Sequence, residues 1–137
     1  MRLFASVILL IASSTAFAAT SEKFGRRGWY RDFQPEIERA NSSGELFRIK
    51  GHCQSNCTLF LGLRNVCVER SATLLFHAGH DRQRNINAGS TQRMLNAYNP
   101  ALRAYVTERG YMNTLEFHAI PGSMIINKFG YRECPRN

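Results

Sequence analysis

The sequence has few acidic side chains and, beyond residue 18, no long apolar run. Its 137 residues include 10 acidic and 18 basic side chains, which give a formal net charge of +8 at pH 7. A helix that spans a bilayer needs about 20 predominantly apolar residues, so nothing after residue 18 predicts a transmembrane span. The basic residues are scattered rather than clustered with aromatic side chains. We therefore expect no specific nucleic-acid partner.

The first 18 residues have the layout of a cleavable signal peptide. Arg2 precedes an apolar stretch that is broken at residues 13–15, and the small side chains of Ala16 and Ala18 suit a signal peptidase. We predict cleavage after Ala18 and a periplasmic or secreted protein. From Ala19 onwards, 14 of the 17 basic residues are arginines, whose planar guanidinium groups suit phosphate and carboxylate. An anionic partner, such as an envelope component, is therefore one expectation.

Four cysteines follow the predicted cleavage site: Cys53, Cys57, Cys67 and Cys134. An even number of cysteines in an exported chain indicates disulfides, and at this stage all three pairings remain open. Thiolate and imidazole are also the usual ligands of zinc, and the chain has histidines near the cysteines. Because the spacing is not that of a zinc finger and export favours oxidation, we predict no metal and no cofactor.

The periodicity of apolar residues predicts a small α/β domain over residues 33–137, preceded by a flexible basic leader over residues 19–32. Residues 80–90 are polar and are expected to form a mobile loop. Glycines, prolines and polar residues set the expected bounds of the regular elements. Helices are expected over residues 33–40, 58–63, 94–110 (interrupted at Pro100) and 123–129, and strands over residues 46–49, 66–68 and 72–76.

The turn between a predicted strand and the apolar helix places Ser55 where a helix begins. There, unpaired backbone N–H groups and the helix dipole can stabilise a developing oxyanion. His77 ends a strand further along the chain and can take the serine proton if the two side chains meet. In the competing interpretation, Ser55 is a helix cap and His77 is a buried histidine with a backbone partner.

The same residues carry a resemblance to a known family. Cys53, Ser55, Cys57 and Thr58 form a C-x-S-x-C-T turn, and His77 follows Phe76 at a strand end. With this pattern the chain resembles the Clp protease proteolytic subunit and its periplasmic relatives in the ClpP/crotonase superfamily, as a minimal or eroded member. The similarity extends from residue 45 to about residue 131. It implies a partial ClpP/crotonase-like α/β fold, a short sheet flanked by helices.

The resemblance also implies roles for particular residues. Ser55 takes the place of the nucleophile, His77 that of the base, and the backbone N–H of Asn56 that of an oxyanion donor. The position of the family's triad aspartate falls near Asn113 or Thr114. Asn113 is expected to orient the histidine, with Glu116 as a rival. The family's upstream glycine-glycine loop has no counterpart before residue 33. Since enzymes of the family form rings, a homo-oligomer is also implied.

The resemblance bears on the disulfides as well. Cys53 and Cys57 belong to the turn motif, whereas Cys67 and Cys134 are additions outside it, so Cys67 is expected to pair with Cys134. A bridge between Cys53 and Cys57 would be geometrically tight. The resemblance favours an exported serine hydrolase or peptidase, whose partner would be a peptide. The alternative is a non-catalytic periplasmic binding or interaction protein with an arginine-rich surface.

Overall fold

The structure is a computed structural model that describes residues 19–136, so the predicted signal peptide lies outside the described residues. The fold is mixed α/β, with small sheets flanked by helices, as predicted. Within residues 19–136 no helix combines the length and the apolar character that crossing a membrane requires. The strands are β1 (Ala19–Thr20), β2 (Phe47–Ile49), β3 (His52–Gln54), β4 (Val66–Val68), β5 (Thr73–Phe76) and β6 (His118–Pro121). The α-helices are α1 (Tyr30–Ser43), α2 (Ala88–Ala97), α3 (Pro100–Glu108) and α4 (Gly122–Asn127), and 3-10 helices cover Glu22–Phe24 and Ser55–Gly62.

The strands form two three-stranded sheets. One has the order β1-β2-β4 and is parallel throughout, and the other has the order β3-β5-β6, with β3 parallel to β5 and β6 antiparallel to it. The chain passes from β2 to β3 at Gly51, whose φ of +65° lies in the left-handed region that favours glycine. Because β3 and β5 are parallel neighbours, the residues that follow them emerge at the same edge of the sheet.

The core is built around the 3-10 helix Ser55–Gly62, which runs through the interior because its side chains are apolar on nearly every side. Phe60 is fully buried, and its ring lies 4.4 Å from that of Phe47 and 5.8 Å from that of Phe33. A cluster of this kind gains from edge and tilted ring contacts in addition to the burial of area. It anchors the turn at Ser55 against the rest of the protein.

Residues 19–32 differ from the flexible leader that we predicted. β1 pairs with β2, and the ring of Phe24 packs 5.4 Å from that of Phe60. α1 begins at Tyr30, ahead of the expected start, because the Asp32 carboxylate accepts a hydrogen bond from the Trp29 backbone N–H at 2.7 Å. These contacts join residues far apart in the sequence, so local patterns did not reveal them.

The bounds of several other elements also differ from the sequence expectation. β3 and β6 were not predicted, because their sequences (His-Cys-Gln and His-Ala-Ile-Pro) are not compact apolar runs like those of β2, β4 and β5. α2 begins inside the predicted loop 80–90, since the Asn87 side chain accepts a hydrogen bond from the Ser90 N–H and caps the helix. Pro100 opens α3 as a separate helix, with the Asn99 side chain accepting from the Leu102 N–H at 3.0 Å.

All four cysteines are oxidised, and the pairs are Cys53 with Cys57 and Cys67 with Cys134. The second bridge ties the C-terminal tail to β4, next to the isolated bridge between Val68 and Glu133. The first encloses Ser55. Two disulfides fit a protein that works in an oxidising compartment.

Candidate active site

The parallel pairing of β3 with β5 brings Ser55 and His77 to one sheet edge. Gln54, the last residue of β3, is in register with Leu75 of β5. Ser55 is the next residue after β3, and His77 is the next after β5. Adjacent strands lie about 4.8 Å apart, and Ser55 and His77 lie one and two residues beyond the Gln54–Leu75 pair, so they are near neighbours at this edge. Both of them line the same cavity.

Ser55 has an unusual backbone. Its φ is +54°, one of two non-glycine residues with positive φ among residues 19–136. The left-handed region costs an L-residue roughly 1–2 kcal/mol, and strain of this kind concentrates at functional sites. A serine on a sharp turn between a strand and a helix is also how some hydrolases expose their nucleophile. The Cys53–Cys57 disulfide spans this turn, with both cysteines fully buried, and holds its two ends together.

The buried hydroxyl groups of Thr58 and Tyr98 form hydrogen bonds that stabilise the turn at Ser55. The Thr58 hydroxyl donates to the Ser55 carbonyl oxygen at 2.7 Å. It also lies 2.5 Å from the Tyr98 hydroxyl, which must then be the donor to Thr58. Because Thr58 and Tyr98 are both buried, these hydrogen bonds are shielded from competition with water. They connect the end of α2 to the Ser55 backbone.

His77 is buried and has a defined tautomer. Its Nδ1 lies 2.5 Å from the carbonyl oxygen of Ala78, which can only accept, so Nδ1 carries the proton. Nε2 is then the acceptor nitrogen of the ring. Burial is the main cause that lowers the pKa of His77, and the hydrogen bond to the Ala78 carbonyl opposes it. Electrostatic effects of His80 and Arg84 lower the pKa further. A neutral imidazole is the form that a general base requires.

A cavity of about 930 Å³ opens over this edge of the sheet. That volume lies within the range of small-molecule sites. Among the described residues its lining combines Ser55, Asn56 and His77 with a cationic and aromatic wall. The remaining lining residues come from the loop before α1, the N-terminal part of α1, the end of β3, the loop after β5, α2 and the loop before β6: Arg26, Arg27, Gly28, Trp29, Tyr30, Asp32, Gln54, Gly79, His80, Arg84, Ser90, Arg93 and Phe117.

The structure brings three of the residues named from the sequence to this cavity and leaves the others outside it. Asn56 is at the cavity and its side chain donates to the Gly28 carbonyl at 3.1 Å. Asn113 and Glu116 are exposed beyond α3 and do not line the cavity. Between these two residues, the Thr114 carbonyl accepts a hydrogen bond from the Ala78 N–H at 2.8 Å. The hydrogen-bond partner of the His77 ring is the Ala78 carbonyl and not Asn113 or Glu116.

Ser55 and His77 form no hydrogen bond with each other in the structure. The Ser55 side chain is half-buried, its carbonyl oxygen accepts from the Thr58 hydroxyl, and His77 Nδ1 is engaged by Ala78. Catalytic hydrogen bonds are often long in a free enzyme and tighten when substrate binds. Ser55 and a neutral His77 thus line the same cavity without touching through a hydrogen bond.

Sequence reasoning missed the loop before α1 and most of the cationic wall. Gly28 in this loop accepts from the Asn56 side chain and so stands against the Ser55 turn. We had assigned residues 19–32 to a leader and residues 80–90 to a loop, although both segments supply lining residues. Their arginines were visible in the sequence. Nothing local showed that they meet.

The described residues offer no alternative metal centre. In the part of the chain from 19 to 136, no three histidine, cysteine or acidic side chains converge in a way that would hold a metal ion. Because all four cysteines are in disulfides, the thiolates that the zinc alternative needs are not available.

Comparisons with known proteins add no further information on this site. No family model, no curated protein and no solved structure matches the chain.

Proposed function

We propose that this protein is an exported serine hydrolase of the ClpP/crotonase type that acts on peptide or ester bonds. The observation that carries the proposal is the backbone of Ser55, held in the left-handed region directly after β3 while His77 follows the paired strand β5. A serine that acts only as a helix cap has no need of this conformation, since cap residues adopt extended backbone angles.

The chemistry follows from the roles of the two side chains. His77 Nε2 takes the proton from Ser55 Oγ as the oxygen attacks the substrate carbonyl carbon. The carbonyl π electrons move to the oxygen, and the oxyanion accepts hydrogen bonds from the backbone at the start of the 3-10 helix, with the Asn56 N–H as the first donor. His77 then gives the proton to the leaving amine or alkoxide. Water hydrolyses the acyl-serine in a second round that uses the same base.

The Ala78 carbonyl takes the orienting part that an acidic side chain has in other serine hydrolases. By accepting from Nδ1 it fixes the ring and leaves Nε2 as the acceptor nitrogen. A neutral carbonyl stabilises an imidazolium less than a carboxylate does. We therefore expect a slow enzyme whose activity rises with pH as His77 loses its proton.

A fluorophosphonate probe tests the proposal because it reacts covalently with activated serines. We expect labelling of the wild type, with loss of labelling in Ser55→Ala. Ser90 lines the same cavity from α2, so Ser90→Ala is a matched control that should label normally. His77→Gln should slow labelling strongly. Its control is His80→Gln, because His80 also lines the cavity but lies further along the loop after β5 and not directly after the strand.

The second candidate is the non-catalytic binding protein with a basic, arginine-rich surface. The observation in its favour is the missing hydrogen bond between Ser55 and His77, together with four arginines around the cavity. Absence of labelling in a folded wild type would reject the hydrolase and leave this candidate. Labelling that persists in Ser55→Ala would also reject the assignment of the nucleophile.

A further inference from the structure

Four arginines from three separate segments line the cavity beside Ser55. Arg26 and Arg27 lie in the loop before α1, Arg84 in the loop after β5 and Arg93 on α2, and all four are exposed. The ion pairs formed within residues 19–136 involve none of them. Guanidinium groups that line one cavity repel one another, and an anion bound between them relieves this repulsion.

The protein itself does little to neutralise this wall. Asp32 is the one carboxylate among the described lining residues, and it already accepts from the Trp29 N–H. Arg93 is held in place by stacking on the Tyr30 ring, with its guanidinium carbon 4.0 Å from the ring centroid. Arg93 is thus a positioned cation, and within residues 19–136 none of the four guanidinium groups forms an ion pair.

Aromatic side chains form the neighbouring part of the lining. Trp29 is 40% exposed and Phe117 is 50% exposed, which is high for such large apolar side chains. Phe117 packs edge-on against the His77 ring at 4.9 Å, and Trp29 packs edge-on against His80 at 5.8 Å. A ligand that lies over Ser55 therefore meets apolar surface as well as guanidinium groups.

We propose that the cavity selects acidic peptides, with the arginines binding an aspartate or glutamate side chain close to the bond that Ser55 attacks. This inference rests on the proposed hydrolase function. A carboxylate matches the guanidinium fork with two parallel hydrogen bonds. The aromatic lining suits the apolar parts of the same peptide, and the cavity has the volume for a short segment.

Binding is measured without catalysis through the fluorescence of Trp29, the single tryptophan of the chain. In Ser55→Ala, which leaves the peptide intact, we titrate acetyl-Ala-Asp-Ala amide against acetyl-Ala-Asn-Ala amide, which have the same shape and differ in charge. We expect the Asp peptide to bind about tenfold more tightly, in line with a charge-assisted hydrogen bond. The preference should disappear when Arg84→Gln and Arg93→Gln are combined.

The control is Arg82→Gln, compared with Arg84→Gln alone, because each removes one charge from the same exposed loop and Arg82 does not line the cavity. It should keep the preference for the Asp peptide. Equal binding of the two peptides would overturn the inference. An equal loss in Arg82→Gln would also overturn it, because the preference would then reflect net charge alone.

The kinetic counterpart compares coumarylamides of acetylated tripeptides that carry Asp or Asn at each of the three positions. We expect kcat/KM to favour Asp by about tenfold at one position at least. Fluorophosphonate labelling without any preference for Asp would overturn the inference and leave the hydrolase standing. Selective Asp binding with no labelling would reject the hydrolase and with it the role of these arginines in substrate choice, leaving an acidic-peptide binding site.

Discussion

Glycine at position 55 should make the protein more stable than alanine does, because the backbone of Ser55, the proposed nucleophile, has a positive φ. At φ +54° the side chain of an L-residue crowds the backbone, at a cost of roughly 1–2 kcal/mol. Glycine avoids this cost but has a more flexible unfolded chain, which offsets roughly 0.4–1 kcal/mol of the gain. Relative to Ser55→Ala, we therefore expect Ser55→Gly to raise the free energy of unfolding by about 1 kcal/mol. Alanine is the right reference because both variants lack the hydroxyl.

The assay is urea unfolding of the two variants followed by circular dichroism, supported by thermal unfolding. For a domain of this size, about 1 kcal/mol corresponds to a Tm difference of about 4 °C. Ser123 provides the matched control because it lies inside α4 and is not among the residues with positive φ. There the order should reverse, with Ala at least as stable as Gly.

One result would refute the reasoning about Ser55. If Ser55→Ala proves as stable as Ser55→Gly, or more so, while the Ser123 pair behaves as a helix predicts, then the turn is not strained. The backbone argument for a nucleophile would fail with it. Both Ser55 variants should in any case lose fluorophosphonate labelling, so the stability measurement and the labelling test separate strain from chemistry.

Three further predictions concern the disulfide, the buried hydroxyl pair and the histidine. Replacing both Cys67 and Cys134 with alanine removes a disulfide that joins residues 67 positions apart. On the chain-entropy model, the free energy of unfolding measured with urea should fall by about 4 kcal/mol. A loss below about 1 kcal/mol would contradict that model. Tyr98→Phe removes the donor to Thr58 and should lower the free energy of unfolding by about 1 kcal/mol. It should also slow fluorophosphonate labelling. An unchanged labelling rate would show that the Thr58–Tyr98 hydroxyl pair does not position Ser55. Because burial lowers the pKa of His77, the unfolded chain takes up a proton at this residue before the folded protein does as the pH falls below about 6.5. The urea concentration at the unfolding midpoint should therefore decrease when the pH is lowered from 7.5 to 5.5, and it should decrease less in His77→Gln. Equal decreases in the two proteins would contradict the lowered pKa.

Much of the fold class was predictable because apolar residues mark the buried segments. The strands at residues 66–68 and 73–76 and the apolar helix after Ser55 follow from compact apolar runs. β3 and β6 could not be predicted in this way, because polar residues and a proline interrupt their few apolar side chains. The first 14 described residues were misassigned to a leader because β1 is only two residues long and its partner, β2, is almost 30 residues away.

The candidate site divides in the same way. Ser55 and His77 were identified from a turn motif and a strand end, which are local features. Asn113 was named by counting along the chain from a resemblance, and the structure leaves it exposed outside the cavity. The orienting group at His77 is a backbone carbonyl, which every residue has, so no side chain in the sequence could mark it.

The sequence by itself determined which segments are buried, where β2 ends, and which two side chains are candidates for chemistry, because these depend on the character of neighbouring residues. Only the tertiary structure decided that β3 and β5 are parallel neighbours, that the loop before α1 folds over the Ser55 turn, and that four scattered arginines share one cavity. The physical reason is that pairing register and the packing of loops are set by contacts between distant residues. Their strength depends on the whole arrangement rather than on any local pattern.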